Sequence, residues 1–307
     1  MRVVFFGTPE FAVPSLGALL GEGFDVVAAV TRPDQPQGRS RSTVVPPPVK
    51  TAAAAEDVPV LQPERPTGDE FLARIRAFAP DVGVVVAYGH ILPPQLLALP
   101  RRGMINVHPS LLPELRGAAP VEWAILNGLK QTGVTIMQME AGLDSGPILL
   151  QIPHDIDPEV TGGELSGHLS EMGAQALVEA LALLEAEQLK SRAQDHTRAT
   201  YAPKLTRGTA RIRWTDPAER VGCLIRALDP KPGAWSELDG REVKLFGARV
   251  VEDRGPPGQI RMMDDGLRIT AGQGAVAVQE VQPAGKPRMA AADWMRGRGA
   301  QEGQQFA

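Results

Sequence analysis

The chain has 307 residues, 43% hydrophobic and 22% charged, with a formal net charge of −4, a length that predicts two globular domains rather than one core. No apolar run approaches the roughly 20 residues of a spanning helix, and the single cysteine, Cys223, excludes a disulfide framework or a cysteine-based metal cluster, so a reducing cytoplasm is expected and a membrane partner is not. The charge is uneven: residues 1–206 carry 16 Lys and Arg against 23 Asp and Glu, and residues 207–307 carry 16 against 13, which suits the second stretch to an anionic partner.

MRVVFFGTPEF reads as a first strand and turn rather than a signal peptide. Thr8 is placed to cap, and Pro9 to begin, a helix over PEFAVPSLGALLGEG. Strands are predicted at DVVAAVT (25–31), VPVLQ (58–62), DVGVVVA (81–87), GMINV (103–107) and GVTIMQM (133–139). Several are continuously apolar, as in strands covered on both faces. Between them GDEFLARIRAFA sets Phe71, Leu72, Ile75 and Phe78 at helical spacing. Arg116 and Gly117 open a helix, GAAPVEWAILNG, with Arg116 solvated at its start or, alternatively, near an anionic group. A long helix, ELSGHLSEMGAQALVEALALLEAE, closes residues 1–188.

The alternation predicts an α/β, doubly wound, mostly parallel, Rossmann-like sheet. LKSRAQDHTRATYAPKL is polar and aperiodic, as a linker over 189–206 would be. From 207 to 307, ARIRW, AWSELDG, REVKLFGARVV, GQIRMMDDG, LRITAGQG and AVAVQEVQP are short alternating segments broken by Gly, Pro and Asp, and predict a small β-barrel of OB-like type.

FFGTPEF carries only Gly7 where a dinucleotide fold needs G-x-G-x-x-G, and no P-loop occurs. No metal triad stands out, because His90, His154, His168 and His196 lie in unrelated contexts. His108 differs in its company. In a strand, residues two apart share a face, so Asn106 and His108 look the same way at the end of GMINV, where Pro109 and Pro113 stop the ladder. Open α/β sheets bind ligands at such strand exits. Asp144 follows in a Gly-flanked turn, GLDSG. An amide donor, a titratable ring and a carboxylate suit acyl transfer without a covalent intermediate, since no G-x-S-x-G accompanies them. Arg32, Arg39, Arg41 and Lys50 frame a long loop rich in Pro and Gly, of the kind that usually carries function.

INVHPSLLP, RGAAPVEWAILNG, GVTIMQM and GLDSGPIL together resemble the folate-dependent formyltransferase family. FFGTPEFAVPSL, TRPDQPQGRSRS with PPPVK, and YAPKL narrow the likeness to its branch that acts on aminoacylated initiator tRNA. The chain departs from that branch at Ser40, Arg41, Ser42 and Thr43, where a lysine-rich run is usual, so its loop is less basic. The resemblance implies 10-formyltetrahydrofolate as donor and the α-amino group of methionine on initiator tRNA as acceptor. By the same resemblance Asn106 donates to the oxyanion, His108 assists it or handles the proton, and Asp144 orients His108 or takes the amine proton. Ser110, Leu111, Leu112 and Pro113 would form a wall for folate, lined also by Tyr88, while Arg39 and Arg41 would touch tRNA and the 207–307 barrel would hold its body. The chain is expected to act as a monomer without metal. A glycinamide ribonucleotide formyltransferase would end near residue 200, a formyltetrahydrofolate hydrolase would use water in place of the amine, a nucleotide-sugar or NAD-binding enzyme would need the glycine fingerprint that is missing, and a pure RNA-binding module would not need the three polar residues.

Overall fold

The structure, a computed structural model, describes residues 1–37, 43–263 and 266–307. In chain order its first part runs β1 (Arg2–Gly7), α1 (Val13–Gly21), β2 (Asp25–Val30), the antiparallel pair β3 (Gln35–Gln37) and β4 (Thr43–Val45), α2 (Pro48–Ala55), β5 (Val60–Leu61), α3 (Asp69–Ala77), β6 (Val82–Val86), α4 (Pro94–Leu97), β7 (Met104–His108) and β8 (Arg116–Gly117). Then come α5 (Pro120–Leu126), β9 (Gln131–Gln138), β10 (Ile148–Asp155), α6 (Gly162–Glu185) and β11 (Tyr201–Ala202).

The contacts divide the chain into two compact units that are not consecutive in sequence. One holds Met1–Gly117, Thr132–His154 and Ser166–Tyr201; the other holds Ala118–Gln131, Asp155–Leu165 and Ala202–Ala307. In the first unit a seven-stranded sheet has the order β10–β9–β7–β6–β1–β2–β5. Strand β1 runs parallel to β2 and β6, and β6 parallel to β7, whereas β9 lies antiparallel to β7. The apolar runs are buried throughout: all five residues of β6, and β1 from Val3 onward. Such continuous burial needs cover on both faces. Part of that cover is α6, where Ser170 Oγ donates to Phe11 O at 2.7 Å and a methyl at Gly173 would stand 2.8 Å from Val107.

Two local expectations change. Thr8 caps no helix: its hydroxyl donates to the Tyr88 carbonyl (2.9 Å) and receives the Arg32 amide (3.4 Å), tying the ends of β1, β2 and β6 together. A 3₁₀ turn, Glu10–Ala12, precedes α1, which has Pro14 in its first turn. Arg116 and Gly117 form the short strand β8, and the helix starts at Pro120.

The second unit adds α7 (Ala218–Ala227), β12 (Ala234–Leu238), β13 (Arg241–Val251), β14 (Ile260–Met263), β15 (Gly266–Thr270), β16 (Ala275–Pro283), β17 (Met289–Ala290) and α8 (Ala291–Arg296). Its sheet is antiparallel in the order β12–β13–β16–β15–β14, with β17 also on β16. The residues 303–307 close it: Gly303 N donates to Ile260 O (2.9 Å), Ile260 N to Gln304 O (2.7 Å), and Ala307 N to Glu237 O (2.9 Å). These bonds lace β14 to β12 and make the small barrel. Helix α5 packs on α7, and Trp123 Nε1 donates to Pro203 O at 2.8 Å, which is why α5 groups with the barrel.

Candidate active site

Strand β7 ends at His108, one residue before Pro109, and brings Asn106 and His108 to one face as the period of two requires. Asn106 is half-buried, and its carboxamide has no hydrogen-bond partner among the described residues. His108 is 4% exposed. Its Nε2 lies 3.0 Å from the Leu115 carbonyl. A carbonyl only accepts, so Nε2 carries the hydrogen and Nδ1 presents the lone pair. Nδ1 faces Asp144 Oδ2 at 3.8 Å, beyond a direct hydrogen bond but well inside strong electrostatic range.

Asp144 is held from several sides. The Gly117 amide donates to its Oδ2 at 2.8 Å, and Gln194 Nε2 donates to the carbonyls of Asp144 (2.9 Å) and Gly146 (2.7 Å). The residue sits at φ 46, a left-handed conformation that costs a non-glycine residue on the order of 1–3 kcal/mol and persists where the surroundings over-determine it. Leu115, whose carbonyl meets His108, is left-handed too, at φ 57. The geometry thus sets an unpartnered amide donor, a ring with one bare nitrogen and a fixed carboxylate around a strand exit. That set is able to stabilise a developing oxyanion and to take up a proton.

The wall expected from Ser110 to Pro113 is largely turned inward. Ser110 Oγ donates to Glu114 O (2.6 Å), and Leu112 lies in an apolar cluster with Met137 and Ile148. Pro113 is also buried, which leaves Leu111 half-exposed. Thr135 braces the segment, donating to Ser110 O (2.6 Å) and accepting from Leu112 N (3.1 Å). Gln151 donates to Leu112 O (2.8 Å) and is held by Arg192 (2.7 Å). An apolar surface does exist elsewhere: Leu143, adjoining Asp144, is 61% exposed, and Ile91 is 91% exposed.

Tyr88 is only 2% exposed and belongs to the core cluster with Phe6 and Phe71, so its ring is not available as a binding face. Burial first of all pushes its phenol up to about 12, and the hydroxyl has no partner among the described residues. Arg39 and Arg41 lie outside the described residues. Lys50 is committed to Asp34, at 2.9 and 2.7 Å, and the Gln62 amide, followed by Lys50, holds the Asp34 carboxyl below its ordinary range. Arg116 is not solvated: it is 4% exposed. Among the described residues no group of three or more His, Cys, Asp or Glu is placed to hold a metal ion, and no helix is long and apolar enough to cross a membrane.

In the second unit, Arg207 and Arg211 stand over the Trp235 ring at 4.4 and 5.3 Å. Arg211 also lines, with Arg213, Arg220 and Trp123, an open groove of about 520 Å³.

Residues 1–181 match the family described as formyl transferase, and residues 204–299 its C-terminal domain. Among curated proteins, the chain is 44% identical to methionyl-tRNA formyltransferase of Syntrophus aciditrophicus, covering 97% of this chain and 96% of that one. It is 45% identical to the enzyme of that name from Roseobacter denitrificans (100% and 99%) and 46% identical to that from Pseudomonas entomophila (97% and 96%). Among solved structures, a variant of HypX from Aquifex aeolicus superposes with a TM-score of 0.71 at 20% identity, over 98% of this chain and 50% of that one. WlaRD, a sugar 3N-formyl transferase solved in the presence of dTDP and 5-N-formyl-THF, superposes at 0.69 with 16% identity (94% and 99%).

Proposed function

The chain belongs to the formyl transferase family and formylates initiator methionyl-tRNA from a folate-derived donor, and from that premise we propose that the residues at the exit of β7 carry the transfer. The donor we assign is 10-formyltetrahydrofolate, which supplies the formyl carbon, with its N10 arylamine nitrogen as leaving group. The residues present suit it: an unpaired carboxamide for the oxyanion, and exposed Leu143 with half-exposed Leu111 for a flat apolar ring system.

An amine attacks a formyl carbon only when neutral, so a base must stand by. The methionyl amine adds to the formyl carbon, the carbonyl electrons move to oxygen, and Asn106 donates to that oxyanion. His108 receives the amine proton at Nδ1, the nitrogen left bare by the Leu115 contact. Asp144 holds the resulting imidazolium by its charge at 3.8 Å. Collapse of the tetrahedral carbon expels the folate nitrogen, which regains a proton. Arg39, Arg41 and the arginine-lined groove of the barrel take the phosphates of the tRNA, and the enzyme works as a monomer in the cytoplasm.

The observation that carries this reading is the meeting of Asn106, His108 and Asp144 with the Gly117 amide. It is tested by incubating the protein with 10-formyltetrahydrofolate and either methionyl-tRNA or water alone. Formate released in water as fast as formylmethionyl-tRNA forms would identify a hydrolase and refute the reading.

A further inference from the structure

Arg116 is a charge buried where charge is costly. At 4% exposure it makes no ion pair among the described residues; its side-chain partners are Gln194 and His196, neither of them a carboxylate. Its Nε and one terminal nitrogen donate to Gln194 Oε1 at 3.2 and 2.6 Å, and the same terminal nitrogen lies 3.0 Å from His196 Nδ1. A cation left in such surroundings lowers stability compared with an apolar side chain of like volume. Its use must lie in what the guanidinium does to Gln194.

With Oε1 occupied by the guanidinium, the Gln194 amide has one orientation, and both hydrogens of Nε2 point away from Arg116. They go to the carbonyls of Asp144 and Gly146, on either side of Ser145. This clamp holds the turn in which Asp144 is left-handed. The neighbours of Arg116 act on the same group: Gly117 N meets the Asp144 carboxylate, and Leu115 O meets His108. Arg116 itself is fixed to the 192–200 segment through its amide on Thr200 O at 2.9 Å. We infer that Arg116 and Gln194 are positioning residues that set the distance between Asp144 and His108, and that residues 192–200 are part of the catalytic apparatus of this unit.

The inference rests on Asp144 acting in the transfer, and the variants separate the two. Gln194→Glu retains an acceptor for Arg116 and gives it a countercharge, yet it cannot donate to either carbonyl. Its carboxylate faces both carbonyls with no hydrogen to offer them, so thermal unfolding is followed on the same preparation, where the variant should remain folded at the assay temperature. Its kcat should fall by at least about tenfold with KM for folate and for methionyl-tRNA unchanged, the cost of slight misplacement. In an Asp144→Asn background the same change should cost less than about threefold, because coupled residues are not additive. The pair Arg116→Met with Gln194→Met removes charge and amide together at similar volume, and should stay folded with kcat still reduced. A wild-type kcat in Gln194→Glu or in the Met pair, or a full loss persisting in the Asp144→Asn background, overturns the positioning role. A wild-type rate in Asp144→Asn alone overturns the role of Asp144, and this inference with it.

Discussion

Replacing Asp144 by Asn removes one charge while disturbing little else. The amide oxygen of Asn still accepts from Gly117 N, and Asn tolerates left-handed backbone better than most residues, so φ 46 is retained. Stability should change by no more than about 1 kcal/mol. What disappears is the attraction between the carboxylate and a protonated His108 ring at 3.8 Å. At an effective dielectric of about 20 this attraction is about 4 kcal/mol, a ceiling for a pair near the surface. It corresponds to about three orders of magnitude in rate. Since the Asp144 side chain is 17% exposed and partly screened, kcat is expected to fall on the order of 100- to 1,000-fold. The measurement is kcat and KM for each substrate, with thermal unfolding on the same preparation. A folded Asp144→Asn enzyme whose kcat lies within about threefold of wild type would refute the charge-based account.

Tyr88→Phe removes a buried hydroxyl with no partner among the described residues, and should leave stability equal or raised by about 1 kcal/mol. Because the folded phenol is pushed up to about 12, wild-type stability should be intact below about pH 10 and fall by roughly 3 kcal/mol as pH rises from there to about 12. Alkaline unfolding of the Phe variant should lack that component, and a raised KM for folate in the variant would instead place the ring in the binding site. Leu143→Ser should raise KM for folate with kcat preserved, and equal KM values would remove Leu143 from the folate surface. Converting Arg39 and Arg41 together to Ala should raise KM for methionyl-tRNA and flatten the slope of log affinity against log salt by about 1 per lost phosphate contact; unchanged affinity and slope would leave the loop without a role in binding.

What the sequence makes legible follows from the range of the forces involved. Asn106 and His108 were readable as a pair because strand periodicity and the Pro109 stop act within a few residues. Asp144 stood out through its flanking glycines. The clamp around it was not readable: Gln194 lies 50 residues from Asp144 and 78 from Arg116, and nothing in a polar, aperiodic stretch tells a brace from a solvated linker. Arg116 looked like the solvated entry to a helix, since RGAAP carries no sign that its guanidinium turns inward. Thr8 had the chemistry of a cap, but its hydroxyl is used by Tyr88 O, 80 residues away. Helix α7 has a readable pattern, Val221, Leu224, Ile225 and Leu228, yet it is embedded among strand-like segments, which masked it. The barrel itself was legible from its short alternating segments; the closure by residues 303–307 depends on backbone bonds that leave no mark in side-chain pattern.

The division of the chain into interleaved units has a consequence for its synthesis. Helix α5 is made early, but its partner α7 begins only at Ala218. At about 5–20 residues per second, the ribosome needs several seconds more to supply it. During that interval α5 lacks the helix it packs on in the finished protein. A nascent chain at this stage presents a short apolar helix suited to capture by a holding chaperone or attack by a protease. Ribosome-arrested chains ending before α7 should therefore be cut within residues 118–131, and chains long enough to expose all of α7 and the first barrel strands should resist.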